Sequence, residues 1–591
     1  MHQIIRKYFN SQYFVLITIL LISALPFLHT IFFSFSPLDD AVLILGRMQW
    51  LQNYNNIHSI LTEPLYAGIG NYYYRPILIL TFMLDAITGN GSPISFHISN
   101  VVYHVISSLL VYEVLKKFDL SSVVALLGTL FFVLHPVNIS AISWIPGRND
   151  TLLTIFILSS FLFWITYLKS AEYKYLLLHL LFYSLALLTK ENAIVLPILS
   201  IIYYYLFSPK SLKSQIIRIL IIWSIITISW VVIRSVILSN PQSISVQSFF
   251  QIILDLIIIF CLSVGKLILP INQAIAPNLL DINPVYPALI TITFAFVLIM
   301  MGFRNKNIAL FGFLWAVGFA LLPELWVTIF NIGYSYEHRL YLPLIGFIIF
   351  ISQVRLPIKF LLAPKRIIIL VVILIISYGV KSIKRSFSYK NYQNFSISLL
   401  KESPSMPFAY KFRGDVLYHF QEFDEAEFYY DRSLEMSPYQ TEVYFNRGSI
   451  NLRSGKDSLA IIDFTTAIEI DSSYHSAYFS LGAIYAKMDN HDMAIQVFSN
   501  AINICNTDPN YFFERGSQYM KTNDYDLAVN DFTESILLDP TFTAAYHNRS
   551  VCKYAFGDYE GSLLDLLEVE TLGGEVVISL LDSIKYKLQI Q

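Results

Sequence analysis

Cysteine is scarce in this chain: Cys261, Cys505 and Cys552 are the only three in 591 residues. They have no metal-ligand spacing and are too few for a disulfide framework, so they read as packing residues and do not report a redox compartment. Charge is also sparse, at 14% of residues against about 25% in soluble domains. With 55% apolar residues, this rules out a wholly soluble or disordered protein. No Gly-rich phosphate loop is present, and the apolar part has no Asp-x-Asp pair of the kind that nucleotide-sugar enzymes carry. Nothing therefore points to a nucleotide. The charge that is present is unevenly divided. Residues 1–386 hold 25 basic and 13 acidic side chains, and residues 387–591 hold 15 and 29. An acidic soluble part repels phosphate backbones, which excludes nucleic-acid binding there. The division marks two solvents: a multispanning part over 1–386, a linker over 387–406, and a soluble part over 407–591.

The first apolar run, Tyr13 to Phe35, follows Arg6 and Lys7 and is long enough to cross a hydrocarbon layer of ~30 Å. Its length and its Phe33-Ser34-Phe35-Ser36-Pro37 flank argue for a retained span rather than a cleaved signal peptide. Further apolar runs between residues 76 and 380, some too short to span, predict about eleven or twelve crossings in all. Lys and Arg stay on the cytoplasmic side. Arg6 and Lys7, Lys116 and Lys117, Lys169 and Lys174, Lys210 and Lys213, Arg304 and Lys306, and Lys359, Lys365 and Arg366 therefore mark inner segments, provided that 76–88 does not cross. The outer segments then collect Asp39, Asp40, Arg75, His135, Arg148, Asp150, Lys190, Glu191, Glu337, His338 and Arg339. Lys381, Lys384 and Arg385 argue for an inside carboxy-terminal part, against the parity of the preceding loops.

In the soluble part Gly414, Gly448, Gly482 and Gly516 recur every 34 residues, with Ser550 at the next step, and Ala426, Ala460, Ala494 and Ala528 keep the same phase. Tyr410, Tyr444, Tyr478, Phe512 and Tyr546 precede each Gly or Ser by four, while Tyr430, Phe464, Phe498 and Phe532 follow each Ala by four. This pattern resembles tetratricopeptide repeats (TPR). In such helix pairs small residues permit close approach and aromatics fill the remaining space. About five repeats cover 407–575, and the fifth, with Ser562 for Ala, reads as a capping unit. The resulting α-solenoid implies binding or scaffolding of protein partners through a groove, with no catalysis of its own.

Chemistry concentrates in the outer segments. Asp39 and Asp40 follow the first span directly, and Tyr72-Tyr73-Tyr74-Arg75-Pro76 opens the next apolar run. A carboxylate at such a place can take the proton of a hydroxyl nucleophile, a neighbour can orient the acceptor or a cation, and Arg75 can hold a phosphate through paired donors. For a bare Asp-Asp pair the solvated-loop reading is the better one. The pair is joined in order by His135-Pro136-Val137, Gly147-Arg148-Asn149-Asp150, Lys190-Glu191-Asn192 and Glu337-His338-Arg339. Together with the repeats, these segments resemble the transmembrane and tetratricopeptide-repeat O-mannosyltransferases, within the C-type (GT-C) membrane glycosyltransferases.

The resemblance implies an all-α protein, a polytopic GT-C-like domain followed by the TPR solenoid. It also implies transfer of a sugar, usually mannose, with inversion, from a polyprenyl-phosphate donor to a protein Ser or Thr hydroxyl, on the non-cytoplasmic face. It makes Asp39 or Asp40 the general base, with Asp40 favoured slightly, and Arg75, Arg148 and Arg339 the groups at the donor phosphate, assisted by His135 and His338. Interfacial capping is an equal reading for Arg148 or Arg339 alone, and a mutual ion pair is the reading for Lys190 and Glu191. Asp85, within an apolar run, is left as a structural group. No cofactor and no metal are expected beyond the lipid-linked donor. A lipid-linked or envelope glycan as acceptor, or a non-enzymatic membrane-anchored TPR scaffold, stand as alternatives. Composition rich in Ile, Asn, Lys and Tyr points to a bacterial inner membrane, with the endoplasmic reticulum as the alternative.

Overall fold

The computed structural model describes residues 12–36, 39–65, 73–208, 213–238, 249–270, 273–275, 281, 285–329, 337–355 and 364–590. Pro37, Leu38, Tyr72, Lys210 and Lys359 lie outside them. The described residues are helical, with a single isolated antiparallel bridge, Phe303 to Val354. They form two compact units, Met1–Ser405 and Met406–Gln591.

In the first unit, four helical stretches are long and apolar enough to cross a bilayer: Gln12–Phe32, Pro93–Lys117, Ile145–Ser170 and Gln215–Ile237. A fifth forms if Ser122–Leu134 and Pro136–Ser143, bent by 51° at His135, count as one span. Other apolar helices, among them Pro76–Thr88, Tyr173–Thr189 and Tyr341–Ile351, are shorter, at 10–17 residues. Length and composition thus give four or five full spans among the described residues, supplemented by short helices, where the sequence suggests eleven or twelve. The chain is a multi-pass membrane protein.

Helix ends sort to two faces. Phe118, just after Lys116 and Lys117, packs its ring on Phe207 and Phe311 at 6.0 and 5.4 Å. Close to the Phe311 helix in chain order, the Arg304 N–H donates to the Gln353 carbonyl at 2.8 Å. This is the face of the inner lysines. At the other end of Pro93–Lys117, Asn100 holds Arg148, whose charge reaches Asp40; Lys190 precedes the other end of Val195–Phe207, Arg75 pairs with its neighbour Glu191, and Arg339 acts on Asp150 beside Arg148.

Pro364–Ser386, the last long helix of this unit, ends on the Asp40 face. Ser382 donates to the Leu134 carbonyl at 2.8 Å, His29 meets Ser386 at 2.7 Å, and the Ser34 N–H donates to the Lys390 carbonyl at 3.1 Å. This end therefore lies with Asp40 and not with Lys116 and Lys117, in line with the parity of the preceding loops and against the reading of Lys381, Lys384 and Arg385 as inner markers. Two of these cations are satisfied by protein, Lys381 by the Pro270 carbonyl and Arg385 by Glu402, so they do not act as free topology signals. The expected linker 387–406 is corrected too. It folds as a turn, Phe387–Tyr389, and a helix, Tyr392–Glu402, inside the first unit.

The second unit stacks five helix pairs from Pro407–His419 with Phe423–Met436 to Thr543–Phe556 with Tyr559–Thr571, followed by Ile578–Ile590. Its 34-residue phase has a steric cause. A Cβ on Gly414, Gly448, Gly482 or Gly516 would lie 2.6, 2.9, 2.7 or 3.1 Å from the ring of Tyr430, Phe464, Phe498 or Phe532 (for Gly516, with Asp531 Cβ equally close). Ala426, Ala460, Ala494 and Ala528 are fully buried. In the fifth pair Ser550 and Ser562 replace the small apolar contact with a buried hydroxyl–hydroxyl bond of 2.9 Å. A second ladder lies beyond the pattern of small and aromatic residues. Arg447, Arg515 and Arg549 each fork onto an Asp sixteen residues later, Asp463, Asp531 and Asp565. At the same register Leu481 and Val497 make an apolar rung, and Arg413 lies over the Tyr429 ring at 5.9 Å.

The face assignment makes a direct prediction. Single cysteines at His58 and Lys401, both exposed, should react with a membrane-impermeant maleimide from one side of sealed vesicles, and one at Lys117 only after permeabilisation or from the other side. Labelling at positions 401 and 117 from the same side would refute it.

Candidate active site

A buried guanidinium organises the site. Arg148 begins the helix Arg148–Ser170 and is completely buried. Its Nε donates to Asn100 Oδ1 at 2.7 Å, one terminal nitrogen to Asp85 at 2.5 Å, and the other to the Phe96 carbonyl at 2.7 Å. Phe82 lies against its plane at 5.0 Å. A charge in hydrocarbon requires this degree of compensation. Arg148 is thus engaged by Asp85 and Asn100 in this arrangement, whereas the resemblance places it at the donor phosphate. Asp85 is the partner that sequence reasoning does not supply; the signal is an acidic residue inside an apolar helix, which calls for a buried counter-charge.

Asn100 does a second job. Its amide nitrogen donates to the carbonyls of Ile142 and Trp144, both at 3.1 Å. These carbonyls belong to the broken segment Pro136–Gly147, whose short turns leave backbone groups open inside the membrane part. Asn100 shares one face of Pro93–Lys117 with His97, His104 and Ser107, spaced three, four and three apart. Ser107 donates to the Thr151 carbonyl, and His104 meets the Tyr341 hydroxyl at 2.7 Å. His135, also expected to assist at the phosphate, is fully buried at the bend. Its Nδ1 accepts from the Val137 N–H and its Nε2 faces the Leu267 carbonyl at 3.2 Å. It caps the break in this arrangement, whereas the resemblance has it assist at the phosphate.

Asp39 and Asp40 open the short helix Asp39–Leu43. Asp40 is fully buried, and its Oδ2 accepts from the Ser36 N–H at 2.7 Å and the Ser36 hydroxyl at 2.9 Å. Its Oδ1 is buried with no hydrogen-bond partner among the described residues. Burial pushes its carboxyl up to about 8, against the Ser36 bonds and the more distant Arg148 charge, with Asp39 adding to the rise. Asp39 is only partly buried. The two carboxylates therefore differ in kind: one is held and shielded, the other lies near the surface.

A second charge cluster lies on the same face. Arg75 pairs with Glu191 at 2.7 Å, over the Tyr73 ring at 4.3 Å, while Lys190 pairs with Asp150 at 2.7 Å. The mutual Lys190–Glu191 pair is therefore corrected: the two residues grip different elements. Arg75 and Arg339 both act electrostatically on Asp150. Burial pulls the Lys190 ammonium below its ordinary value, and Asp150 pulls it back. Three cations surround two carboxylates here. Lys190 is a member that the sequence does not place among the phosphate groups. The side chain of His338 lies outside the described residues. Among the described residues no group of three His, Cys, Asp or Glu is placed to hold a metal ion.

If Arg148 is the keystone, Asp85→Asn should cost about 3–5 kcal/mol by leaving a buried cation without its counter-charge. Asp85→Asn combined with Arg148→Met should recover part of that loss. Thermal unfolding of the detergent-solubilised protein measures both, and an additive double variant would deny the coupling.

Residues 77–233 match the family model described as dolichyl-phosphate-mannose-protein mannosyltransferase, and 441–474, 475–508 and 509–542 match the tetratricopeptide repeat. The human protein O-mannosyl-transferase TMTC3 is 36% identical over 91 residues, 15% of this chain and 10% of that protein. The Caenorhabditis elegans protein O-mannosyl-transferase F38B6.6 is 25% identical over 391 residues, 62% of this chain and 54% of that one. The chain thus spans about half the length of the second relative and a tenth of the first. Among solved structures, MamA aligns with 27% of this chain and 94% of its own at 21% identity and a TM-score of 0.26. In the matched mannosyltransferase segment and the repeats behind it, the chain is similar to the transmembrane and tetratricopeptide-repeat O-mannosyltransferases.

Proposed function

We propose that the protein is an inverting glycosyltransferase that moves mannose from a polyprenyl-phosphate donor to a Ser or Thr hydroxyl of a protein. Asp40 is the general base. The observation that carries this reading is its buried Oδ1, without a partner among the described residues and held in place by Ser36 through the other oxygen, on the face that also carries Arg75, Lys190 and Arg339. The donor phosphate lies at those cations. They hold it before transfer and stabilise the charge it gains as the sugar departs. A lipid phosphate is a weak base, so this departure needs charge stabilisation and no acid. The acceptor oxygen attacks the anomeric carbon from the side opposite the phosphate while Asp40 takes its proton. This inverts the sugar carbon.

The curated relatives named as protein O-mannosyl-transferases support mannose and a protein acceptor. The repeats serve to capture that acceptor. Because the last long helix ends on the Asp40 face, the chain leaves the membrane unit on the side where transfer takes place. We place that side away from the cytoplasm, because the lysine-bearing ends lie opposite.

The raised Asp40 carboxyl fixes a pH dependence. A base works only when ionised, and with a pKa of about 8 most Asp40 is protonated at neutral pH. The kcat/KM for the acceptor should therefore rise about tenfold per pH unit up to about pH 8 and level off above it. Asp40→Asn should lower transfer by about 10²–10⁴-fold and flatten what remains. Transfer assays from about pH 6 to about pH 9.5 with a mannosyl-phosphate lipid and a Ser/Thr peptide would show this. A flat wild-type profile, or full activity in Asp40→Asn, would remove Asp40 from the role.

A further inference from the structure

Asp40 is fully buried, so an acceptor hydroxyl cannot reach its open oxygen in this arrangement. What lies over the first outer segment is the piece of chain that joins the membrane unit to the repeats. The Lys390 carbonyl accepts from both the Ser34 N–H and the Ser34 hydroxyl, each at 3.1 Å. Phe387 stacks on His29 at 5.0 Å and leans on Phe33 at 5.8 Å. Two residues beyond Ser34, Ser36 is 2% exposed and makes both of its bonds to Asp40. Tyr392, the first residue of Tyr392–Glu402, is half-buried and close enough to Asp40 for the carboxylate charge to act on its phenol. The far end is fastened as well. Glu402 pairs with Arg385 and accepts from the Ile275 N–H at 2.9 Å.

The fastening is uneven. The Glu402 end is charged and shielded, whereas Phe387, whose ring lies on His29 and Phe33, is 41% exposed. Such a contact opens readily, because ring stacking at a half-exposed side chain adds little to the burial of its area.

We propose that residues 387–392 form a strap over the acceptor side of the Asp40 pocket, and that a hydroxyl-bearing polypeptide reaches Asp40 only when this strap lifts from Ser34 and Phe33. Tyr392 is a positioning residue at its edge. The proposal rests on the assignment of Asp40 as the base, but its first test does not require catalysis.

In full-length protein freed of Cys261, Cys505 and Cys552 by serine or alanine substitution, Ser36→Cys places a near-isosteric thiol beneath the strap. Phe387→Ala should raise the rate at which a small maleimide modifies this introduced thiol by at least about tenfold, and leave the rate at a cysteine in place of Asp39 unchanged. Asp40→Cys serves as a second reporter should Ser36→Cys disturb the pocket, with circular dichroism confirming that each variant is folded. Equal rates with and without Phe387→Ala at both reporters would overturn the strap. A second arm pairs Ser34→Cys with Lys390→Cys. Oxidation should suppress transfer to a peptide at least about tenfold, and reductant should restore it. Full transfer in the cross-linked form overturns the strap while leaving Asp40 as base. Absence of transfer from the uncross-linked wild type overturns the enzymatic reading, and the maleimide rates at the buried reporters still decide whether the strap opens.

Discussion

The membrane unit depends on one buried cation. Arg148 has no water to solvate it, and its three donor groups are met by Asn100, Asp85 and the Phe96 carbonyl. Buried away from water, an unsatisfied polar group has no alternative partner, so this arrangement is close to all-or-none. Its consequence is architectural. Asn100, held by Arg148 on its oxygen, is thereby turned so that its nitrogen faces Ile142 and Trp144. The broken segment Pro136–Gly147 is tolerated at depth because Asn100 meets carbonyls that a continuous helix would have satisfied itself. A helix break in turn lets chain cross the interior of the unit between the Asp40 helix and the Arg339 turn, where a straight span would have filled the space with apolar side chains.

How much of this is legible in the sequence depends on the range of the interaction. The repeats can be read because their constraint is local and repeated: Gly414 and Tyr430, Gly448 and Phe464, and their successors meet within one helix pair, so the spacing records the packing. Helices in the membrane unit can be read because hydrocarbon selects apolar runs. The charge pairings cannot. Asp85 and Arg148 lie 63 residues apart, Arg75 and Glu191 lie 116 apart, and no periodicity links them. A pair of adjacent opposite charges, Lys190 and Glu191, invites the nearest-neighbour reading. The structure prefers two cross-element pairs because neighbouring side chains at the turn Glu191–Ile194 diverge. Basic residues also mislead where they are not free. Lys381 and Arg385 count as inner-side markers only if water and headgroups solvate them, and here a carbonyl and a carboxylate do so instead.

The two carboxylates after the first span show how position within one turn separates roles. Asp39 and Asp40 share a helix start, yet Asp40 is the one that reaches back to Ser36. The same bonds that fix its geometry would hold its charge, and burial overrides them. A base made reluctant to ionise is strong once ionised. That combination suits a hydroxyl acceptor, whose own proton is held far more tightly than any carboxyl proton, provided that the pocket stays closed to water until the acceptor arrives.

The cation cluster fits the other half of the same reaction through its charge. A sugar attached to a lipid phosphate is a diester with one negative charge, and on the proposed reading it meets Arg75, Lys190 and Arg339. As the bond to the anomeric carbon breaks, the phosphate becomes a monoester and gains a second negative charge, now in surroundings of low dielectric where each unit counts for more than in water. Glu191 is bound to Arg75, and Asp150 to Lys190, at 2.7 Å each. On the proposed reading, the gain at the phosphate is met by these cations turning from their carboxylates toward the departing oxygen. On the same reading, the pairs that hold Arg75 and Lys190 in the resting protein also keep both cations where the charge on the phosphate would form.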